Sequence, residues 1–143
     1  MNKKADIIPG ISLAGINLGT DIDEILPEIS NEYSISRDIG VVVLDHGMIT
    51  IGHEDNGCIY SVMCNSRFKT KYKNILWAGM TVNDVLEMST EQIAYGGGVV
   101  VNRIDGIGLP LPDGYDDFEK LTDFLSLDFV FEYLCVFKTI FDN

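Results

Sequence analysis

The segment GTDIDEIL at residues 19–26 returns in altered form as GMTVNDVL at residues 79–86, and this repeat decides the fold. In both copies a threonine and acidic or amide side chains stand among aliphatic residues at helical spacing. Such polar residues cap a helix and complement the positive end of its dipole. The sequence therefore predicts two short helices that begin near Thr20 and Thr81, and Pro27 makes the first one either short or kinked.

The repeat continues beyond the helices. A glycine followed by three valines occurs at residues 40–43 and again at 98–101, and a turn containing glycine follows each valine run. The common unit is a capped helix, a connection and a strand that turns back on itself. A chain of 143 residues has the length of one domain, so we predict a single domain, 1–143, made of two related halves at about 11–76 and 77–143.

The segment between the two copies has the composition of short strands. β-Branched and aromatic residues are concentrated in four runs, at residues 33–36, 41–44, 48–52 and 58–64. Asn56-Gly57 lies between two of these runs, and this dipeptide is typical of a tight hairpin turn. We therefore predict a hairpin formed by residues 48–53 and 57–64.

The second half supports three further predictions. The glycines and prolines of residues 106–112 favour a crossing loop or an edge segment over a central strand. Residues 113–124 place apolar side chains on one helical face, which predicts a third helix. Residues 127–141 alternate aromatic with aliphatic side chains, as a long central strand would. The predicted fold class is α+β, a mainly antiparallel β-sheet with two or three helices packed on one side and a weak internal helix–strand repeat.

The charge of the chain is strongly acidic and unevenly distributed. There are 22 acidic and 10 basic residues, which gives a formal net charge of -12. Four of the basic residues lie within one short segment, at Arg67, Lys69, Lys71 and Lys73, so the rest of the chain has 6 basic and 22 acidic residues and a net charge of -16. Such a field repels nucleic acid and attracts cationic proteins, and we predict no nucleic-acid partner.

The basic segment allows two interpretations. Phe68 and Tyr72 alternate with its charges, a pattern that stacks nucleic-acid bases. The same alternation describes the solvated face of an edge strand, where lysine prevents aggregation, and we favour that interpretation.

Residues suited to catalysis are scarce. His46 and His53 have acidic neighbours, but a metal site needs three or four convergent ligands, so we interpret both as solvent-exposed turn residues. No serine or cysteine stands in a nucleophile motif, and the glycines after Tyr95 lack the lysine and the helix of a phosphate-binding loop. We predict no catalytic residue, no metal, no cofactor and no enzymatic activity.

Two acidic clusters remain as candidates for binding. The cluster at residues 21–32 is explained by helix capping and a solvated face. The cluster at residues 113–123 is denser, has only Lys120 as a counter-charge and follows a proline-rich segment. We predict that this second cluster binds a protein partner through Asp113, Tyr115, Asp116, Asp117, Glu119 and Asp123. Trp77, the only tryptophan, is predicted to be a core residue.

The compartment follows from the N-terminus and the cysteines. Asp6, Pro9 and Asn17 interrupt the apolar residues near the start, which argues against a signal peptide. No apolar run approaches the ~18 residues of a membrane helix, so we predict no membrane partner. The three cysteines are odd in number and lie in apolar runs, as reduced thiols of a cytoplasmic protein do.

Short segments spread over most of the chain carry a family resemblance. They are GISLAGINLG at 10–19, DEIL at 23–26, GIGL at 106–109 and the phenylalanine-rich residues 127–137. In these features the chain resembles the small acidic immunity proteins encoded beside bacterial polymorphic toxins, particularly those of contact-dependent growth inhibition systems.

This resemblance implies a function. The protein would bind the C-terminal domain of a cognate toxin, a basic nuclease, and would block its active site or its access to substrate. No binding residue follows from the resemblance, because such interfaces differ between cognate pairs. The alternative left open by the residues is a small ligand-binding domain or an enzyme of unknown specificity.

Overall fold

The computed structural model of the protein describes residues 6–95, 97–112 and 119–138. These residues form two α-helices and a set of mostly short strands. The bounds are β1 Ile7–Ile8, β2 Ser12–Leu13, β3 Ile16–Asn17, α1 Ile22–Ile29, β4 Ile35–Asp38, β5 Val41–Leu44, β6 Ile49–His53, β7 Ile59–Asn65, β8 Met80–Thr81, α2 Val82–Met88, β9 Gln92–Tyr95, β10 Gly98–Val101, β11 Ile107–Pro110, β12 Val130–Phe131 and β13 Tyr133–Phe137.

The main sheet has eight antiparallel strands in the order β4-β5-β6-β7-β13-β11-β10-β9. The first four follow α1 in the chain and the last four follow α2, so both halves of the sheet have the same order of elements. They meet at the β7–β13 pair in the centre. β1, β2 and β3 form a small separate sheet, and β8 pairs with β12. The fold is therefore α+β with a mainly antiparallel sheet, as predicted, while the boundaries of the two halves stay a prediction.

Both helices begin at side-chain caps. The side chain of Asp21, not that of Thr20, accepts a hydrogen bond from Asp23 N at the start of α1. Thr81 caps α2 as predicted and exchanges hydrogen bonds with Asp84 in a capping box. Pro27 lies in the second turn of α1, and the helix ends two residues later at Ile29, so the short alternative is the observed one.

The hydrophobic core lies on one face of the main sheet. The register places Leu44, Ile49, Cys64 and Leu134 side by side across β5, β6, β7 and β13, and each is fully buried. Ile22 of α1 and Val82 and Val85 of α2 belong to the same apolar cluster. Alternate strand residues therefore point inward to the helices. We call this side of the sheet the inner face.

The prediction of one long strand over residues 127–141 is wrong. Glu132 separates two strands, and β12 pairs with β8 whereas β13 pairs with β7 and β11. Phe131 is consequently fully buried in the core, and Tyr133 is exposed. The alternation of residue types could not reveal this break, because both segments have strand composition. The prediction that this region supplies a central strand is confirmed by β13.

The prediction of a loop or edge segment at residues 106–112 is also wrong. Ile107–Pro110 forms β11, which lies inside the sheet between β13 and β10. Gly108 suits this position because an added Cβ would lie 2.9 Å from Val99 O and 3.4 Å from Phe137 Cε2. Pro110 is the last residue of the strand, where a missing donor costs little.

The first half of the predicted third helix, residues 113–118, lies outside the described residues. The described part contains a single 3₁₀ turn at Leu121–Asp123. Leu121 and Leu125 are buried in the core cluster and hold this segment against the inner side of the sheet.

Candidate functional site: the outer face of the sheet

The main sheet has a second face, which its core does not use. Residues paired across antiparallel strands point to the same side, so the register assigns each side chain to a face. Val43 pairs with Thr50, Thr50 with Met63, and Met63 with Cys135. None of these four belongs to the core cluster or to the side chains packed against it. They form a row across the centre of the opposite side.

We call this side the outer face. It consists of the outward-pointing positions of the eight strands, which include Ser36, Asp38, Val41, Val43, Thr50, Gly52, Tyr60, Ser61, Met63, Asn65, Ile93, Val100, Gly108, Tyr133, Cys135 and Phe137. Asp38 is the only charged residue in this set, and it lies on the edge strand β4. A wide sheet surface without charge at its centre is unusual in a chain with a net charge of -12.

Two aromatic rings lie over glycines on this face. A Cβ added at Gly52 would be 3.1 Å from Tyr60 Cζ, and one added at Gly108 would be 3.4 Å from Phe137 Cε2. The register shifts between Gly52 and His53, which leaves Tyr60 as an extra residue between Ile59 and Ser61. This bulge presents the Tyr60 ring on the outer side of the sheet. Because glycine has no Cβ, Gly52 and Gly108 leave room for the rings of Tyr60 and Phe137 to pack against the sheet.

Several apolar side chains of this region remain accessible. Tyr60 is 43% exposed and Tyr133 is 38% exposed. Ile39, in the tight turn between β4 and β5, is 92% exposed. Tyrosines are frequent anchors in protein interfaces, so partly exposed tyrosines on an uncharged face are suited to binding a partner.

Charged residues stand at the ends of the central strands. Glu54 and Asp55 are exposed in the turn between β6 and β7, and Glu132 is exposed directly before β13. Lys138, directly after β13, is a basic exception. An uncharged centre with a mainly acidic border is the composition expected for binding a basic protein surface.

The thiols are not chemically activated. Burial raises the pKa of Cys64 on the inner face to about 12, against a smaller opposing effect of a hydrogen bond with the Leu134 backbone. Burial, with a smaller contribution from nearby Cys64, also raises the pKa of Cys135 on the outer face to about 12. All three cysteines are free. Neutral thiols are poor nucleophiles, so Cys64 and Cys135 are packing residues.

The predicted acidic site is only partly described. Asp113, Tyr115, Asp116 and Asp117 lie outside the described residues. Glu119 and Asp123 are exposed, and Asp123 Oδ2 accepts a hydrogen bond from Lys120 N at 3.0 Å. Their segment is anchored on the inner side, so these two residues belong to a different surface from the outer face. The partner-binding role of the acidic cluster stays a prediction.

The two histidines occupy different surroundings. His46 is exposed in a turn, as predicted. The prediction for His53 is wrong, because it ends strand β6 and is half-buried, with Nδ1 2.9 Å from Glu54 O. Its buried Nε2 has no hydrogen-bond partner within the described ranges of the chain. Among the residues that the structure describes, no group of three or more His, Cys, Asp or Glu side chains could hold a metal ion.

The basic segment also differs from the prediction. Residues 67–71 form no strand, and an isolated bridge between Tyr72 and Leu76 closes a loop instead. Arg67 Nη2 donates to the backbone carbonyls of Asp45 and His46 at 2.8 Å and 3.3 Å, which ties the loop to the turn before β6. Trp77 is half-buried and packs against the core, close to the predicted position.

In the described part of the chain, no helix is both long and apolar enough to span a membrane.

Comparison with known proteins gave no relatives. No protein-family model matches the sequence, and neither a curated protein nor a solved structure is detectably similar to it. The argument for function therefore depends on the geometry and charge of the chain itself.

Sequence reasoning missed the outer face. The alternation in residues 133–137 contained the signal, since Tyr133, Cys135 and Phe137 are non-charged residues that face away from Leu134 and Val136. The prediction of one strand over residues 127–141 hid this signal, because it placed Phe131 and Tyr133 on the same face. The strand break at Glu132 instead leaves Phe131 in the core and Tyr133 on the outer face.

Proposed function

We propose that this chain is an immunity protein that binds the C-terminal domain of a cognate toxin in the cytoplasm and neutralises it. The partner is a basic domain, most simply a nuclease, and the chain acts as an inhibitor and not as an enzyme. The observation that carries the proposal is the outer face, a broad sheet surface with aromatic anchors and a single charged residue at its edge.

The packing of the outer face supports a binding role. Tyr60 and Phe137 are fixed over glycines, and Tyr133 and Ile39 are accessible. Anchors held in place before binding lose little conformational entropy when the partner arrives. Antiparallel sheet strands also move little, so such a face can cover a partner's surface without rearrangement.

The overall charge supports the choice of a basic partner. A net charge of -12 accelerates encounter with a cationic domain and suppresses encounter with acidic proteins. Nucleases present basic surfaces to their substrate, because they must neutralise phosphates. An acidic inhibitor that covers such a surface competes directly with the nucleic acid, which accounts for neutralisation by blocked substrate access.

Capture and protection together test the proposal. Tagged wild-type chain is used as bait in a lysate of the native host, beside Tyr133→Ala and the control Met88→Ala, which truncates an exposed apolar residue of α2. We expect wild type and the control to capture a basic toxin domain, and Tyr133→Ala to capture less.

The captured domain is then expressed in cells with each of the three chains. The proposal predicts that wild type and Met88→Ala restore growth and that Tyr133→Ala protects less. Failure of the wild-type chain to protect against any captured domain would overturn the immunity function. Equal protection by all three chains would remove Tyr133 from the interface.

A further inference from the structure

A second candidate site lies in the loop between β7 and β8, and its residues do not belong to the outer face. The loop contains a pocket of about 510 Å³, a volume within the range of small-molecule sites. The residues that line it are aromatic, basic or hydroxyl-bearing, with one alanine: Ser66, Phe68, Lys69, Thr70, Lys71, Trp77 and Ala78. Among the residues that the structure describes, no carboxylate lines the pocket, although 22 acidic residues occur in the chain.

The loop is held at both ends. Asn65 Oδ1 accepts a hydrogen bond from Arg67 N at 2.9 Å, and Phe68 N donates to Asn65 O at 3.1 Å. At the other end Tyr72 N donates to Leu76 O at 2.8 Å, and Leu76 is fully buried in the core. These hydrogen bonds tie one end of the loop to β7 and the other end to the core.

The basic charges at the pocket have no acidic partner in the described part of the chain. Lys71 Nζ lies 4.8 Å from the centroid of the Trp77 ring, a cation–π contact that positions the ammonium and leaves its charge intact. No ion pair joins Lys69 or Lys71 to an acidic residue within the described parts of the chain. The pocket therefore offers two ammonium groups beside an indole and a phenyl ring.

We propose that this pocket binds a small anion that carries a planar ring, of the class of nucleoside phosphates. Lys69 and Lys71 provide charge for the phosphates, and Phe68 provides an apolar ring surface for the base. The net charge of -16 outside the basic segment opposes a long polyanion, whose phosphates extend beyond the pocket. A mononucleotide places its charge only where the lysines stand.

Trp77 makes the test direct, because it is the only tryptophan and it lines the pocket. Tryptophan fluorescence of the full chain is recorded while ADP is added, with adenosine and inorganic phosphate titrated separately. The expected result is a saturable change with ADP, and weaker binding of adenosine and of phosphate than of ADP. Absence of a saturable change with ADP at millimolar concentration would overturn the proposal.

Variants then locate the site by calorimetry, which does not depend on the indole. Lys71→Gln should weaken ADP binding at least about tenfold, as the loss of one charge-assisted contact does. Lys73→Gln is the matched control, since Lys73 Nζ lies 5.4 Å from the Tyr72 ring and Lys73 does not line the pocket. Equal weakening by both variants would show non-specific attraction and contradict the proposal. Tighter binding of a thymidine decamer than of ADP would assign the loop to single-stranded nucleic acid instead.

Discussion

The inner and outer faces of the main sheet use the same strands for different purposes. Leu134 points inward and is fully buried among aliphatic side chains, whereas its neighbour Tyr133 points outward and is 38% exposed. The inner face stabilises the fold by removing apolar surface from water. The outer face has nearly as little charge, yet none of its central residues belongs to the core. Tyr60 and Tyr133 on this face keep 43% and 38% of their surface exposed, so both remain accessible to a partner.

The largest expected effect separates the faces by stability. Leu134→Ala removes a fully buried side chain and leaves a cavity, so the free energy of unfolding should fall by ~2–5 kcal/mol. Tyr133→Ala, one residue away on the other face, should cost less than Leu134→Ala, because the ring is 38% exposed and does not belong to the core cluster. Chemical denaturation of both variants measures the two values. Equal losses would mean that the outer face belongs to the folding core.

Packing of the aromatic rings over glycines gives the next largest effect. Gly108→Ala introduces a Cβ 2.9 Å from Val99 O, so we expect a loss of ~1–3 kcal/mol from overpacking. The matched control is Gly98→Ala in the neighbouring strand β10, which pairs with Pro110. Denaturant unfolding measures the free energy of unfolding of both variants. A smaller loss in Gly108→Ala than in Gly98→Ala would contradict the close packing of β11.

Charge reversal tests whether the predicted acidic site takes part in partner binding. Reversal of Asp116 and Asp117 to lysine should slow association with the captured partner by up to ~10-fold and leave dissociation nearly unchanged, since peripheral charges act on encounter. Reversal of Glu24 and Glu28, which are exposed on α1, changes the net charge by the same amount at another place. The association and dissociation rates of the two double variants are compared by stopped-flow or surface-based kinetics at two salt concentrations. Identical association rates for the two double variants would mean that only the overall charge of the chain affects binding. The acidic cluster would then not belong to the interface.

The last prediction concerns the pH dependence contributed by the thiols on the two faces. The pKa of Cys64 and of Cys135 is raised to about 12 from an ordinary value of 9.0, so the unfolded chain loses these protons first as the pH rises. The stability contributed by each neutral thiol is fully present below pH 9 and should be lost between about pH 9 and 12. Unfolding by urea at several pH values, under reducing conditions, measures this decline.

The variant Cys135→Ala tests that assignment. It should make the decline between pH 9 and pH 12 shallower by about one proton per molecule, because one of the two shifted thiols is gone. A decline as steep as that of the wild-type chain would show that other groups, such as Tyr33 with its raised pKa, cause it.

Local signals in the sequence were sufficient for much of the fold. The cap at Thr81 and the turn at Asn56-Gly57 involve residues close in the chain, and the structure has α2 and the β6–β7 hairpin at these places. The position of β11 inside the sheet depends instead on its pairing with β13, where Phe137 is distant from Gly108 in the sequence. The glycines and prolines of residues 106–112 therefore led to the wrong prediction of a loop or an edge segment.

The candidate site was harder to predict than the fold. Acidic residues are visible in a sequence without any structure, so the cluster at residues 113–123 attracted the binding prediction. The outer face arises only when β7 and β13 pair in a particular register, which sets Met63 beside Cys135. Uncharged residues that show no functional motif in the sequence then form one continuous surface.

The most direct test of the central claim is the affinity of the captured toxin domain for two double variants. Tyr60→Ala with Tyr133→Ala removes the two exposed tyrosine rings of the outer face, and Ile11→Ser with Met88→Ala removes exposed apolar side chains elsewhere. Loss of an interface anchor costs about 2 kcal/mol, so the first pair should weaken binding at least ~30-fold, while the second should change it less than ~3-fold. Equal affinities for the two pairs would contradict the assignment of the outer face as the binding surface.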